Sequence, residues 1–546
     1  MNRRARVLAW SLAALLAWIV GYPLLLTLLE GRHALLEVAR RSDEWLALWR
    51  SLWISVASTV LAGVLGVPLA FVFARLEFPG RKLLGDLLAL PVALPPLVGV
   101  IAFLFLYGES GFAARAVQAV FGLETAPWRL QGPGAILLVH AYSMYVYFYL
   151  LVRAALQRLD PALEEAAAAL GAGRWRTLWR VTMPQLVPAM LGGALLAFMT
   201  SLGSFSAPYI FGGNFRVLPT QITTSKLNGD IDLAQAETVA LAALALLALW
   251  LFDRAEPTSG GGSGVRGVAP ERRRLQSGRA RFGAIALGWG LALFALLPHF
   301  TLLLVSFVPT GTWSTEALPP VLAGSNYMTL LREPERLRPL VNSLWMASLA
   351  TAAALALGFA AARLALGLRG RVSATLRALI ALPWAIPGTV FAVALATAFS
   401  VNQPWLLRFV LVGTPVLLPL AYLARSLPLT GRAALAGLAQ LDPALEEAAA
   451  TLGANRRRIL WRIVLPLVRP ALMAGASIAF ITALGDFVAS IVLYTYTTRP
   501  ISIEILSSLR LQDLGVAAAY GVLLMVASGA AFLLFGERER PLSTGA

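Results

Sequence analysis

Residues 159–168 recur without a single change as residues 441–450. Each copy opens a longer pattern. The first reads Glu165-Ala166-Ala167, then Gly171, then Val181-x-Met183-Pro184; the second reads Glu447-Ala448-Ala449, then Gly453, then Ile463-x-Leu465-Pro466. All landmarks are displaced by the same 282 positions (447 − 165, 453 − 171, 466 − 184). Unrelated segments do not keep ten identities at a constant offset, so the chain is an internal duplication. Both copies sit in polar, Arg-rich loops between long apolar segments, and the fold must therefore present two equivalent loops at a membrane surface.

The rest of the composition agrees with a membrane solvent. With 58% hydrophobic residues, 13% charged and a mean hydropathy of +0.73, 546 residues carry too little polar surface to cover a soluble globule. The formal net charge of +17 comes from arginines that recur in the loops rather than in one stripe, as positive-inside topology produces, and no nucleic-acid partner is expected. There is no cysteine, which excludes disulfides, thiolate catalysis and Cys-based metal sites.

Apolar stretches long enough to cross a bilayer are expected at 8–29, 52–73, 84–107, 134–156, 187–211 and a short 238–251, then at 282–307, 341–362, 376–400, 406–423, 470–494 and 515–535. The fold class is thus all-α, with about twelve transmembrane helices in two six-helix halves. The stretch 8–29 is long for a secretory h-region and lacks a small-x-small cleavage site, so it reads as an uncleaved first span. Arg3, Arg4, Arg6, Arg75, Arg81, Lys82, Arg174, Arg176, Arg180, Arg456, Arg457, Arg458, Arg462, Arg538 and Arg540 all fall on one side when the spans alternate. That places both termini and both repeated loops in the cytoplasm; Arg32, Arg40 and Arg41 are the exceptions outside.

Residues 1–252 form the first half, 253–281 a linker containing the Gly/Ser run 259–264, and 282–546 the second half. Six spans return the chain to its starting side, giving a parallel repeat. The likeness reaches beyond the loops: Leu90-Pro91-Val92-Ala93-Leu94-Pro95 matches Leu382-Pro383-Trp384-Ala385-Ile386-Pro387. Prolines interrupting corresponding spans are either ordinary kinks or markers of a substrate pathway, because irregular backbone at membrane depth needs cover from protein or a water-filled cavity.

Within the repeated loop, Asp160 caps and Pro161 opens a short helix, Glu164 and Glu165 place negative charge in its early turns, and Gly171 ends it. Ala162, Ala166 and Ala169 make a small face that another backbone can approach, and Glu165 offers an acceptor to a basic partner.

Glu-Ala-Ala, three residues, Gly, nine residues, Ile-x-Leu-Pro resembles the signature of permease subunits in binding-protein-dependent ABC importers, with Val181 and Met183 as conservative departures. The resemblance covers both halves and matches the fused form found in iron(III), thiamine and aminoethylphosphonate importers. It implies the type I importer permease fold, a prokaryotic inner-membrane location, an extracytoplasmic substrate-binding protein and two copies of a cytoplasmic ATPase. It also implies ATPase-coupling roles for Glu165, Ala166, Ala167, Gly171, Glu447, Ala448, Ala449 and Gly453. The stretches 202–208 and 498–504 look most similar to the iron(III) type.

No Gly-Lys-Ser/Thr occurs, since Lys82 and Lys226 are the only lysines and neither follows a glycine. The chain is expected to be a transport subunit without its own ATPase site and without a cofactor. For the pathway, Gly203-Ser204-Phe205 corresponds to Gly485-Asp486-Phe487 (485 − 203 = 282), so a lone carboxylate stands on one side of a pseudo-twofold axis. Candidate pathway residues are Ser204, Phe205, Asp486, Phe487, Pro91, Pro95, Pro383 and Pro387; Asp486 is either a pathway group or a structural hydrogen-bond partner. Tyr142, Tyr145 and Tyr149 share a helical face, suited to a hard cation or to an aromatic belt. His33, His140 and His299 have no metal-binding spacing, and His140 reads as an interhelical residue. A secondary transporter also has two parallel halves, but mid-span acids other than Asp486 are scarce. A membrane enzyme lacks any catalytic constellation.

Overall fold

A computed structural model describes residues 3–33, 38, 40–93, 95–255, 272–274, 277–313, 316–400 and 410–535. Expectations for Arg538, Arg540, the 259–264 run and the start of the 406–423 span lie outside the described residues.

The first half contains α1 (Arg6–Gly31), α2 (Ser42–Arg75), α3 (Arg81–Leu87), α4 (Pro96–Tyr107), α5 (Phe112–Phe121), α6 (Gly132–Leu156), α7 (Pro161–Ala169), α8 (Arg174–Leu202), α9 (Ser206–Phe211), α10 (Leu218–Leu227) and α11 (Ile231–Ala255). The second contains α12 (Gly278–Ser306), α13 (Ser325–Arg332), α14 (Pro334–Gly367), α15 (Arg371–Ala381), α16 (Gly388–Ala398), α17 (Leu417–Ala439), α18 (Pro443–Thr451), α19 (Arg456–Leu484), α20 (Val488–Leu493), α21 (Ile501–Arg510) and α22 (Leu514–Phe535). Among the described residues ten helices are long and apolar enough to span a membrane, or eleven if the pair around Trp384 and Gly388, bent by 109°, is one span. The remaining expected span, 406–423, is displaced to α17, which carries Arg425 and Arg432 in its interior.

Each half is organised around two tightly paired helices, α2 with α6 and α14 with α17, joined by α8 and α19 respectively. In lipid there is no hydrophobic gain from pairing helices, so close backbone approach does the work. Gly66 and its counterpart Gly358 supply it: a Cβ at Gly66 would lie 2.4 Å from the Tyr145 carbonyl oxygen, and one at Gly358 2.9 Å from the Gly431 nitrogen.

Besides the bent 376–400 stretch and the displaced 406–423 stretch, three further expected spans prove to be interrupted or moved. The 84–107 stretch is α3, a 3-10 turn at Leu90–Ala93, and α4, because Pro91, Pro95 and Pro96 cannot continue a hydrogen-bonded helix. The 187–211 and 470–494 stretches begin earlier and end at Gly203 and Gly485, after which α9 and α20 start afresh. Both α8 and α19 contain a π-turn at the same place, Leu178–Thr182 and Leu460–Val464, just before Pro184 and Pro466; the wider turn absorbs the missing proline donor.

Part of the linker is described, residues 272–274 included. Arg273–Arg274 pairs as a short parallel strand with Leu76–Glu77, and Arg272 lies 3.6 Å from the Glu77 carboxylate.

Candidate functional site

The repeated loops form as their residues require. Asp160 and Asp442 each accept a hydrogen bond from the amide two residues on, at 2.9 Å in both cases, opening α7 and α18 with proline in the first turn. Gly171 and Gly453 close them at φ +77° and +79°, a backbone region that disfavours side chains. Neither helix buries a single residue, and Leu170 and Leu452 beside the closing glycines are both 88% exposed.

Sequence reasoning singled out Glu165 and Glu447, and both point to solvent. Their neighbours Glu164 and Glu446 turn inward instead. Glu164 takes two hydrogen bonds from Arg75 at the end of α2 (2.6 and 3.1 Å) and one from Thr182 (2.8 Å), and Glu446 pairs with Arg363 near the end of α14. Each loop helix is thereby clamped to the longest helix of its own half, leaving Glu165, Ala166, Glu447 and Ala448 exposed and Ala167 and Ala449 half-buried.

At membrane depth the two halves meet reciprocally. Gly203 at the end of α8 faces Pro387 of the other half, where a Cβ would come within 3.6 Å; Gly485 at the end of α19 faces Pro95, where a Cβ would come within 2.4 Å. Next in sequence, Phe205 and Phe487 pack ring against ring with centroids 5.5 Å apart, each no more than 2% exposed. Tyr209 stacks on Phe205 at 5.1 Å and receives a hydrogen bond from Arg510 of the second half. Pro91, Pro95, Pro383 and Pro387 are all buried, and Pro95 and Pro387 are the two that meet the glycines at this junction.

Polar groups flank the aromatic pair. Ser204 bonds to His140 (2.9 Å), which also contacts Ser58 and Ser201; this is the interhelical role expected of His140. Asp486 forms an ion pair with Arg425 (2.6 Å). Arg425 escaped sequence reasoning because the expected span stopped at residue 423. Glu44 and Glu237 are likewise buried, at 3% and 0% exposure, though the expected spans left them outside. Scarcity of buried acids is therefore not an argument against ion coupling.

The tyrosine face has neither of the roles proposed for it. Tyr142, Tyr145 and Tyr149 donate to the carbonyls of Ala295, Leu88 and Gly85 at 2.6, 2.7 and 3.0 Å. Leu88 and Gly85 belong to the proline-broken segment, whose freed carbonyls have no water to turn to at that depth. Tyr145 and Tyr149 are supports for the break, and Tyr142 ties α6 to α12. Among the described residues no group of three or more His, Asp or Glu is placed to hold a metal ion.

Two homologous helical bundles that meet at Gly203/Pro387 and Gly485/Pro95, each carrying one exposed loop helix, make a duplicated membrane protein. The chain belongs to the family described as binding-protein-dependent transport system inner membrane component, whose model matches residues 66–258 and again 354–536. It is 30% identical to the probable ABC transporter permease protein y4fN of Sinorhizobium fredii over 98% of this chain and 97% of that one. It is also 30% identical to the ferric transport system permease protein FbpB of Actinobacillus pleuropneumoniae, over 89% of this chain and 70% of that one. The molybdenum transport system permease protein ModB of Escherichia coli is 37% identical over 33% of this chain and 79% of its own length. Among solved structures, a bacterial alginate ABC importer chain aligns with 47% of this chain and 94% of its own length, at 20% identity and a TM-score of 0.38.

Proposed function

We propose that this permease carries iron(III), delivered by an extracytoplasmic binding protein and driven by two copies of a separate cytoplasmic ATPase, one seated on each of α7 and α18. The exposed, duplicated loop helices carry the reading. Two small-faced helices, each locked to its own half through Glu164 or Glu446, transmit a push from outside the chain to α2 and α14. The contact surfaces are Glu165, Ala166, Ala167 and Gly171 in one half and Glu447, Ala448, Ala449 and Gly453 in the other. Both termini then lie in the cytoplasm with the loops. No phosphate-binding Gly-Lys-Ser/Thr motif occurs in the chain, so ATP hydrolysis belongs to the partner.

The route for cargo runs between the halves past Ser204, Phe205, Asp486 and Phe487, flanked by Pro91, Pro95, Pro383 and Pro387. Iron(III) is favoured by the similarity to FbpB over most of the chain. On this reading the metal is passed on rather than held. The test is to identify what the partner binding protein binds and to follow uptake of that ligand into proteoliposomes. ATP-dependent, ionophore-insensitive iron accumulation supports the proposal; molybdate or an organic cation as the bound ligand overturns the iron assignment and leaves the permease standing.

A further inference from the structure

Three matched positions around the junction differ in concert between the halves. The second half has Gly388 opening α16, Arg425 midway along α17 and Asp486 at the break after α19; the first has Pro96, Ser143 and Ser204 at the corresponding places. Arg425 Nη1 donates to Asp486 Oδ2 at 2.6 Å, and the aspartate side chain is 5% exposed. Gly388 is what makes room: a Cβ there would lie 2.4 Å from Arg425 Nη1. Asp486 Oδ1 also caps α20 by accepting from the Ala489 amide at 2.7 Å, and the Asp486 carbonyl accepts from the hydroxyls of Ser490 and Ser502. One residue therefore ties α17, α20 and α21 together immediately before Phe487.

Among the described residues no ion pair restrains Phe205, and Tyr209 of α9, stacked on it, is tied to the other half by a neutral-acceptor hydrogen bond from Arg510. The Ser143 hydroxyl turns back onto its own helix, to the Val139 carbonyl, and Ser204 is held by a single side-chain bond to His140. Parting Arg425, which is partly exposed, from the buried Asp486 carboxylate strands a buried charge, whereas a serine bond is exchanged for another partner at small cost. We propose that Arg425 is a positioning residue acting through Asp486 to hold Phe487 still, so that the aromatic seal opens by departure of Phe205 and α9 while the second half stays in place. The proposal rests on the pathway reading of the two phenylalanines. That reading stands or falls by leakage of a Phe205/Phe487 variant, a separate measurement from the one below.

The chain has no cysteine of its own, so single thiols report local opening without background. Ile210 in α9 and Val492 in α20 are equivalent (492 − 210 = 282) and both half-buried. With the full chain in nanodiscs, Ile210→Cys should react with N-ethylmaleimide at least about tenfold faster than Val492→Cys. Arg425→Ser combined with Asp486→Ser writes the first half's residues into the second and leaves no unpaired charge; it should bring Val492→Cys to within about threefold of Ile210→Cys. Arg425→Lys, which keeps the charge, should leave Val492→Cys slow. Equal rates in the chain with the ion pair intact, or a Val492→Cys rate unmoved by the double serine variant, overturn the proposal.

Discussion

Phe205 and Phe487 occupy equivalent positions in the two halves and touch each other across the axis that relates them, at 5.5 Å between ring centroids. On the proposed pathway reading, this pair closes the route with apolar surface and no fixed charge. Aromatic contacts contribute about 0.5–1.5 kcal/mol beyond the area they bury, enough to hold a seal and little enough to release it. Replacing both with alanine should leave an open crossing. Proteoliposomes holding the double variant should lose a trapped small ion within minutes without ATP, and each single variant should leak less; retention equal to the unmodified chain would remove these residues from the pathway.

The loop helices make a second, separable prediction. Glu165→Arg with Glu447→Arg should abolish stimulated ATP hydrolysis and transport while leaving thermal unfolding in detergent unchanged, because an exposed charge adds little to stability but a docking contact carries about 1–3 kcal/mol. Glu164→Gln with Glu446→Gln should instead leave binding of the ATPase intact and weaken coupling, since the helices lose their clamp to Arg75 and Arg363. The single Glu165 and Glu447 variants should differ in severity, as Trp175 in one loop is matched by Arg457 in the other. Wild-type transport in the Glu165/Glu447 double variant would refute the coupling assignment.

The glycine-to-proline contacts across the junction are unequal, and mutants should show it. Gly485→Ala forces a methyl to 2.4 Å from the Pro95 Cβ, so overpacking of roughly 1–3 kcal/mol is expected. Gly203→Ala meets Pro387 at an ordinary 3.6 Å and should be tolerated. Thermal unfolding of the two purified variants decides the matter, with the Gly485 variant expected to be markedly the less stable.

Much of this architecture is legible in the residues because a duplication announces itself by identity, and because Pro95 and Pro387 mark their breaks by chemistry alone. The breaks at Gly203 and Gly485 are hidden, since the apolar run continues past them and hydropathy registers composition rather than helical continuity. Glu164 and Glu165 are adjacent acids with the same local propensity; only the fold brings Arg75, 89 positions away, to the first and leaves the second free. Arg425 is invisible for a related reason. An arginine two residues past an apolar stretch reads as its polar boundary until a buried aspartate from another helix is found beside it.

Lys226 gives a pH signature. It sits in α10, donates to the Val492 carbonyl of the other half at 3.1 Å, and burial pushes its ammonium down to about 8. The unfolded chain binds this proton more tightly than the folded one, so the folded state is penalised in full below about pH 8 and the penalty is relieved as pH rises toward the ordinary lysine value near 10.4. The stability of the unmodified chain relative to Lys226→Met should therefore increase between pH 8 and 10. A difference in unfolding temperature that stays flat across that window would show that the lysine is not desolvated at the seam.

The linker supplies the last test. If it acts only by keeping the halves together, it raises their effective concentration and its sequence is immaterial. Cutting near Gly261 and co-expressing the pieces should then restore transport, and removing 259–264 should be mild. The pairing of Arg273–Arg274 with Leu76–Glu77 adds a distinction, because it attaches the linker to the stretch between α2 and α3. Removing 272–274, or reversing the charge at Glu77, which binds both Arg81 and Arg272, should lower transport more than removing 259–264. Uptake assays on the three chains, matched for membrane insertion, distinguish a tether from an attached segment. Equal uptake after both deletions would mean that the strand pairing contributes nothing to the transport cycle.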